Sequence, residues 1–504
     1  MQVGSELLAS TRPPNILWVC TDQQRFDTIG ALGNEHVRTP VVDELLRQGT
    51  AFSHAYCQSP ICTPSRASFL TGMYPSNLHV MGNGNEVFPT SAPPLVTRIL
   101  ADAGYDCGLV GKLHLASAFG QMEPRIDDGY RFWKYSHAPR DDWAHGHDYA
   151  DWVRSRGADL SELTKDSAGV PAELHQTTWC AEMAREFMTT SRRDDQPWLL
   201  SVNVYDPHPP FNPPASYRER FAAEDMPAPI YRDTDLDQQR LLEAAGIDFQ
   251  SRAMSPDALD IKHPVLPASP RQGGGEEASA DQGDGMAQRR DASTLIAAYY
   301  AMINLIDDRV GEMLACLDAS GQRDDTIVLF TSDHGETLGD HGLIAKGCRF
   351  YEGLVRVPLI FQSPGRVREG IIDDSLVELT DLAPTLLDLA GVDVPAHMQG
   401  HSLAPRLTQE VNHRHREAVR CEYYDALDEP DNTFATMYRD DRFKLVVYHG
   451  KGLGELYDLH VDPREHDNLW DDAAHVEVKL RLMQLSFDAS VLSMDRGPRR
   501  VGPM

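Results

Sequence analysis

The residues whose types and spacing carry the most chemistry lie in SPICTPSRASFLTG, residues 59–72, where Cys62 precedes Pro64 and Arg66. Pro64 suits the first turn of a helix, Ser65 to Leu70 can continue it, and Gly72 can end it. Cys62 is then expected just ahead of the backbone amides at the positive end of that helix. A thiol can be a nucleophile unaided, and this setting sets Cys62 apart from a plain buried structural cysteine. Arg66, one turn on, projects toward the same anion site. Cys57, five residues earlier, has no such setting and is read as structural.

Other polar residues gain meaning from the elements that must carry them. Short β-rich runs occur at Ile16 to Cys20, Cys107 to Val110, Trp198 to Tyr205, Thr326 to Phe330 and Val357 to Phe361. Helical patterns stand between them at Val41 to Gln48, Leu95 to Ala103 and Leu295 to Leu317. Such alternation predicts an α/β fold. Four of the runs are followed by polar clusters: Thr21 to Gln23, Lys112 to His114, Asp206 to His208, and Asp333 to Glu336. Open parallel sheets gather ligands at the carboxyl ends of strands, so the four clusters are expected to meet at one edge. Singly they are ordinary: an aspartate at a strand end is commonly a cap, and a loop histidine is commonly inert. Lys112 and His114 are two apart, which puts both on one side of an extended continuation.

Residues 233–292 dissolve into polar, proline-containing and glycine-rich sequence, read as an insertion or loop. Beyond about Glu410, strand-like runs at Ala418 to Tyr424, Phe443 to Tyr448 and Glu455 to Leu459 precede an amphipathic helix around His475 to Phe487. The expected organisation is a catalytic domain over 1–410 and an α+β subdomain with a tail over 411–504. The fold class is α/β: a large, mostly parallel sheet flanked by helices, with a smaller C-terminal antiparallel sheet.

Composition narrows the partners. Lys plus Arg number 47 against 76 Asp plus Glu, a formal charge of −29. That balance argues against nucleic acid and against an anionic membrane surface. No run approaches the roughly 18 apolar residues of a membrane span, and residues 1–15 lack a basic leader, so the expected location is cytoplasmic. Eight cysteines without a CxxC pair argue against a zinc ribbon or a disulfide scaffold.

CTPSR followed by LTG resembles the maturation motif of the type I sulfatase family, of the alkaline phosphatase-like superfamily. The similarity runs from PNILWVCTDQ through TIVLFTSDHGE and AYYAMINLIDDRVGEML to LYDLHVDPREHDNL. It implies that a formylglycine-generating enzyme oxidises Cys62 to formylglycine, whose hydrated aldehyde attacks an anionic ester. It also implies a divalent metal, Ca²⁺ by family default with Mn²⁺ as the alternative, held by Asp22, Gln23, Asp333, His334 and the matured residue 62. GLVGKLHL is similar to the family's GKWHLG, with Leu113 in place of tryptophan. By that resemblance Lys112 holds an ester oxygen and His114 acts as a base on the formylglycine. In YDPHPPFNPP, His208 is implied as ester ligand and proton donor to the leaving oxygen, with Asp206 either orienting it or making a turn. Lys346 stands where the family carries a second ester-binding lysine; Arg349 is read as the structural partner of an acidic residue, and Cys348 as incidental. Asn83, Asn85 and residues 143–147 are weak substrate-facing candidates.

One departure bears on substrate. The family more often has a second aspartate where this chain has Gln23, and the Asp-Gln plus Asp-His set is similar to phosphonate monoester hydrolases. The expected activity is therefore hydrolysis of a small-molecule sulfate monoester, with phosphonate monoesters or phosphodiesters as the alternative on the same site. A rival of another class is a non-catalytic binding protein with an unmodified Cys62 thiol. A homo-oligomer is compatible with the resemblance.

Overall fold

The computed structural model describes residues 12–118, 121–139, 147–165, 169–247, 249–260, 289–427, 432–494 and 502. Its strands are β1 (Asn15–Thr21), β2 (Thr50–Tyr56), β3 (Asp106–Gly111), β4 (Phe132–Tyr135), β5 (Trp198–Asn203), β6 (Leu259–Asp260), β7 (Arg289–Arg290), β8 (Thr326–Ser332), β9 (Arg356–Val357), β10 (Leu359–Gln362), β11 (Ile371–Glu378), β12 (Val419–Tyr424), β13 (Phe434–Arg439), β14 (Phe443–Tyr448) and β15 (Leu453–Asp458). Nine of them form one sheet in the order β11-β2-β10-β8-β1-β5-β3-β4, with β9 paired to β2. The run β8-β1-β5-β3-β4 is parallel throughout, and only β9 and β10 oppose the general direction. This is the expected α/β class.

The central strands are buried on both faces, as parallel strands covered by helices must be. In β1, Ile16, Trp18 and Cys20 join the apolar cluster containing Phe69, Leu70 and Leu386, while Leu17 and Val19 join the cluster of Trp179, Val310 and Met313 on the other side. The Cys62–Thr71 and Leu382–Leu389 helices cover the first face. Gln176–Glu186 and the 28-residue Ala292–Ala319 helix cover the second.

The second sheet is the antiparallel meander β12-β13-β14-β15. One face, with Cys421, Tyr423, Met437 and Tyr448, joins the main core, and the other packs Leu445 and Leu456 against Leu482 of the Val476–Leu492 helix.

The expected loop over 233–292 is corrected at its start. Asp233–Ala244 is a helix whose Asp235 side chain accepts the Arg232 backbone N–H at 2.8 Å, and whose buried Gln239 and Leu242 tie it to the body. Polar composition hid it because most of its surface faces water. Residues 261–288, the glycine-rich part of that stretch, lie outside the described residues, as do 143–146 of the weak substrate-facing candidates and almost all of the tail after 494. No described helix is long and apolar enough to cross a membrane.

Candidate active site

Four neighbouring parallel strands, β3, β5, β1 and β8, release their chains at the same sheet edge, and the four polar clusters do converge there. The turns are held by continued ladder bonds: Lys112 N–H donates to Asn203 O at 3.0 Å, Asp22 N–H to Asp206 O at 3.2 Å, and Asp333 N–H to Thr21 O at 3.3 Å. Gly111 makes the first turn possible. Its φ is +97°, and a Cβ there would lie 2.0 Å from Asn203 O, so only glycine fits.

Cys62 is the first residue of its helix rather than the residue before it, with Ile61 as the extended N-cap and Gly72 ending the helix at φ 71°. The Thr63 N–H donates to Asn83 Oδ1 at 3.1 Å, which gives Asn83 a place at the helix start. Asn85 turns its amide back to Gly82 O. The Cys62 sulfur lies 2.8 Å from Lys346 Nζ, 3.1 Å from His334 Nε2 and 3.7 Å from Asp22 Oδ1. Burial and the Asp22 charge oppose its ionisation, yet Lys112, Lys346 and His334 bring the thiol below its ordinary value.

Each site carboxylate sets Oδ2 on a cation, and Asp333 Oδ1 also accepts the backbone N–H groups of Gln23 at 3.0 Å and His334 at 2.9 Å. Asp22 Oδ2 takes the Lys112 ammonium, and Asp333 Oδ2 takes Arg66 Nε at 2.8 Å. Burial favours protonated Asp22, but Lys112, His208 and Arg66 outweigh it and hold the carboxyl well below the usual range. Arg66 Nη1 also donates to Lys112 O at 3.1 Å, so Arg66 clamps two of the converging loops from behind. His334 donates Nδ1–H to Gly335 O at 2.8 Å, leaving Nε2 to face Cys62 Sγ at 3.1 Å, Lys346 Nζ at 3.3 Å and, at 3.9 Å, both Asp22 Oδ1 and Asp333 Oδ1. Gln23, at φ 70°, gives its amide N–H to Glu336, while its Oε1 is buried without a hydrogen-bond partner. An orphaned buried carbonyl costs on the order of 1–3 kcal/mol. Together, the orphaned Gln23 oxygen, the Oδ1 atoms of Asp22 and Asp333, and His334 Nε2 fit a divalent cation that accepts hard and borderline donors.

The two further histidines differ in setting. His114, at φ 59°, has a buried Nδ1 without a hydrogen-bond partner and meets the His137 ring edge-on at 4.4 Å. Burial, then Lys112, pushes its pKa well below the ordinary imidazole value, so it is a neutral base at pH 7. His208 is half-buried, packs against Tyr205 at 4.6 Å and donates Nδ1–H to Pro209 O at 2.7 Å, leaving Nε2 free to act. Burial first, then Lys346, lowers its pKa as well. Asp206 does not touch the His208 ring. Its Oδ2 accepts from Thr177 Oγ1 at 2.9 Å and faces His175 at 3.6 Å, so it braces the loop from below.

Sequence reasoning assigned no role to several supports. Glu123 gathers the backbone N–H groups of His114, Leu115 and Ala116 and thereby sets the His114 loop. Glu336 orients Gln23 and receives the Leu338 N–H at 3.0 Å, while the Tyr299 hydroxyl donates to Gln23 O at 2.6 Å. Arg349 is corrected: its partners are the Gln239 amide oxygen at 2.8 Å and Cys348 O at 2.8 Å, and among the described residues no carboxylate forms an ion pair with it. Cys57 is buried in the core, as expected.

Comparison with known proteins agrees with this geometry. The model of the family described as Sulfatase matches residues 14–392, and that of the N-sulphoglucosamine sulphohydrolase C-terminal region matches 339–489. An arylsulfatase of Clostridium perfringens is 29% identical over 483 residues, covering 92% of each chain. The multifunctional alkaline phosphatase superfamily protein PehA of Trinickia caryophylli is 31% identical over 514 residues, again 92% of each. The crystal structure of a phosphonate monoester hydrolase of Agrobacterium radiobacter superposes with a TM-score of 0.76 at 27% identity, covering 96% of both chains. The matched span and the shared architecture establish that this chain belongs to the sulfatase family.

Proposed function

We propose that this chain is a formylglycine- and metal-dependent hydrolase that cleaves a sulfate monoester to inorganic sulfate and an alcohol. The observation that carries the reading is the placement of Cys62 Sγ, at a helix N-terminus, within 2.8 Å of Lys346 Nζ and 3.1 Å of His334 Nε2. In this reading the sulfur marks where the oxygens of the matured residue would sit. A geminal diol at residue 62 supplies one hydroxyl to attack sulfur and a second whose deprotonation later expels sulfate and restores the aldehyde. A divalent cation, Ca²⁺ or Mn²⁺, held by Asp22, Gln23, Asp333 and His334 supplies charge to acidify that diol and to neutralise the ester's oxygens.

The chain's own side chains do the rest. Lys346 and Lys112 hold the non-bridging oxygens as negative charge builds, inside a site where water does not compete. His208 protonates the leaving oxygen from Nε2. Its neutrality in the free protein stems from burial and from Lys346; an ester anion set beside Lys346 offsets that charge and favours proton uptake. His114, neutral and with an unpartnered buried nitrogen, takes the proton that releases sulfate.

A second reading keeps this apparatus for phosphonate monoesters or phosphodiesters, which like sulfate monoesters are tetrahedral monoanions. Gln23 favours it, since an amide in place of a carboxylate leaves a more positive site, suited to a more highly charged transition state, as does the similarity to the Agrobacterium radiobacter enzyme. The matured, metal-loaded protein assayed in parallel on an aryl sulfate, a phenylphosphonate monoester and an aryl phosphodiester separates the two. The sulfate reading expects the highest kcat/KM on the aryl sulfate. A phosphonate or diester value far above the sulfate value overturns it.

A further inference from the structure

Among the described residues, two groups of histidine, cysteine and carboxylate side chains bring their donor atoms within 4.8 Å of one another: the set around Cys62, and a second made of Asp235, His341 and His466. The second plays no part in the reaction described above. Asp235 lies in the first turn of the Asp233–Ala244 helix, His341 in the tight turn Asp340–Gly342, and His466 in the segment that follows β15. His466 Nδ1 is 3.1 and 3.2 Å from the two Asp235 oxygens, and His341 Nδ1 is 3.4 Å from Oδ2. All three side chains are at most 5% exposed.

Hydrogen bonds to Asp235 account for each imidazole singly; the spacing of the donors points further. In a tetrahedral site with bonds of about 2.0–2.1 Å, neighbouring donors are about 3.3–3.4 Å apart. The two imidazole–carboxylate separations, 3.1 and 3.4 Å, are close to those edges, and all three donors lie within 4.8 Å of one another. Two of the three donors, His341 and Asp235, are also held in place by neighbours. The His341 backbone sits at φ 54°, a conformation that such residues keep only where the surroundings enforce it. Its ring stacks on Tyr351 at 3.8 Å with 15° between the planes, and the Tyr351 hydroxyl accepts from Gln239 Nε2 at 2.8 Å, on the same helix as Asp235. Asp235 Oδ2 is fixed by the Arg232 backbone N–H at 2.8 Å. Oriented donors with such supporting contacts are the usual anatomy of a metal site.

We propose that Asp235, His341 and His466 bind a first-row divalent cation, with Zn²⁺ as the best match to two imidazoles and one carboxylate, and water in the fourth position. The ion ties together three separate stretches of chain. His341 lies between His334 and Lys346, so a cation here anchors the loop that presents both to Cys62.

The test uses the full-length protein, stripped with a chelator, reloaded with Zn²⁺, dialysed and submitted to elemental analysis. H466Q retains volume and an N–H for Asp235 but loses the imidazole donor; D235N retains the shape of the carboxylate but not its charge. Wild type is expected to hold one more Zn²⁺ per chain than either variant, and D333N, altered in the other site, to keep this ion. At a hundredfold excess over its Kd, Zn²⁺ is expected to raise the wild-type Tm by about 2–3 °C more than that of H466Q. Co²⁺ in place of Zn²⁺ is expected to give the intense visible absorption of a tetrahedral site in wild type and D333N and not in H466Q. Equal metal content and equal Tm rise in wild type and H466Q overturn the proposal, as does a Co²⁺ spectrum that D333N abolishes.

Discussion

Replacing Lys346 by methionine separates catalysis from folding more cleanly than any other single change at the site. Lys346 is buried, yet neither carboxylate depends on it: Asp22 keeps Lys112, and Asp333 keeps Arg66 at 2.8 Å. Methionine fills most of the stem's volume, and removing a buried ammonium relieves its desolvation, so stability is expected to change by no more than about 1 kcal/mol. Activity is another matter. At the 2.8 Å that separates Nζ from the Cys62 sulfur, unit charges interact by about 6 kcal/mol at an effective dielectric of about 20. Only the part that grows as charge develops accelerates the reaction, and loss of one such donor typically costs about 10²–10³ in rate, or about 2.7–4 kcal/mol. K346M is therefore expected to lower kcat/KM on para-nitrophenyl sulfate by about 10²–10³, with an unchanged melting curve and unchanged maturation of residue 62. K346R, which retains charge in a bulkier planar form, should recover part of the loss. A K346M enzyme within about threefold of wild type, against the roughly hundredfold minimum expected for such a donor, refutes the role given to Lys346. So does a fall in Tm large enough to account for the lost activity.

Three further outcomes follow from the supports. E123Q sets an amide NH₂ against backbone N–H groups that now share a carboxylate; the His114 loop should shift and kcat/KM fall about tenfold or more, measured with the same aryl sulfate. Q23L removes the orphaned oxygen and should weaken affinity for the divalent ion about 10–100-fold in a titration of chelator-stripped protein; unaltered affinity removes Gln23 from the ligand set. Asp307 accepts the N–H groups of Val41 and Val42, and burial pushes its carboxyl up to about 7. Between the ordinary aspartate range and that value the folded state holds a proton that the unfolded state has lost, so this group's contribution to stability falls as pH rises and is level above about pH 7. The stability difference between wild type and D307N should thus tilt against wild type by up to about 1.4 kcal/mol per pH unit from pH 4 to 7, read from urea melts; a flat difference contradicts it.

What could be read from the sequence divides along physical lines. The strand ends were legible because four apolar runs each finish in a polar cluster, and parallel β3, β5, β1 and β8 leave no other place for those clusters than one edge. The Cys62 helix was legible because proline, arginine and a terminal glycine are local signals. Strands β2 and β11 went unread, since hydrogen bonding to distant partners rather than local pattern defines them: β2 pairs with β10 and β11, more than 300 residues away. Strands β4 and β13 went unread although their partners, β3 for the one and β12 and β14 for the other, lie near them in the sequence. The same holds for the supports. Glu336 on Gln23, Tyr299 on the Gln23 carbonyl and Arg66 on Asp333 are contacts across roughly the whole catalytic region, and no spacing rule in one sequence announces them. Lys346 could be placed only through its resemblance to a family motif. Arg349 shows the reverse error: a buried guanidinium was assigned to a carboxylate, and the Asp233–Ala244 helix, read as loop, supplies the amide that holds it.

The central claim is that Cys62 is the precursor of the nucleophile, and mass spectrometry of the tryptic peptide from Gln48 to Arg66 tests it most directly. The protein must come from cells that contain a formylglycine-generating enzyme. Cys57 lies in the same peptide and in the apolar core, where it serves as the internal control. An aldehyde at residue 62, trapped by a hydrazide, and an unaltered thiol at 57 are expected. A peptide carrying free thiols at both positions contradicts the claim: with hydrolytic activity present the nucleophile lies elsewhere, and without activity the chain is a binding protein that keeps the fold.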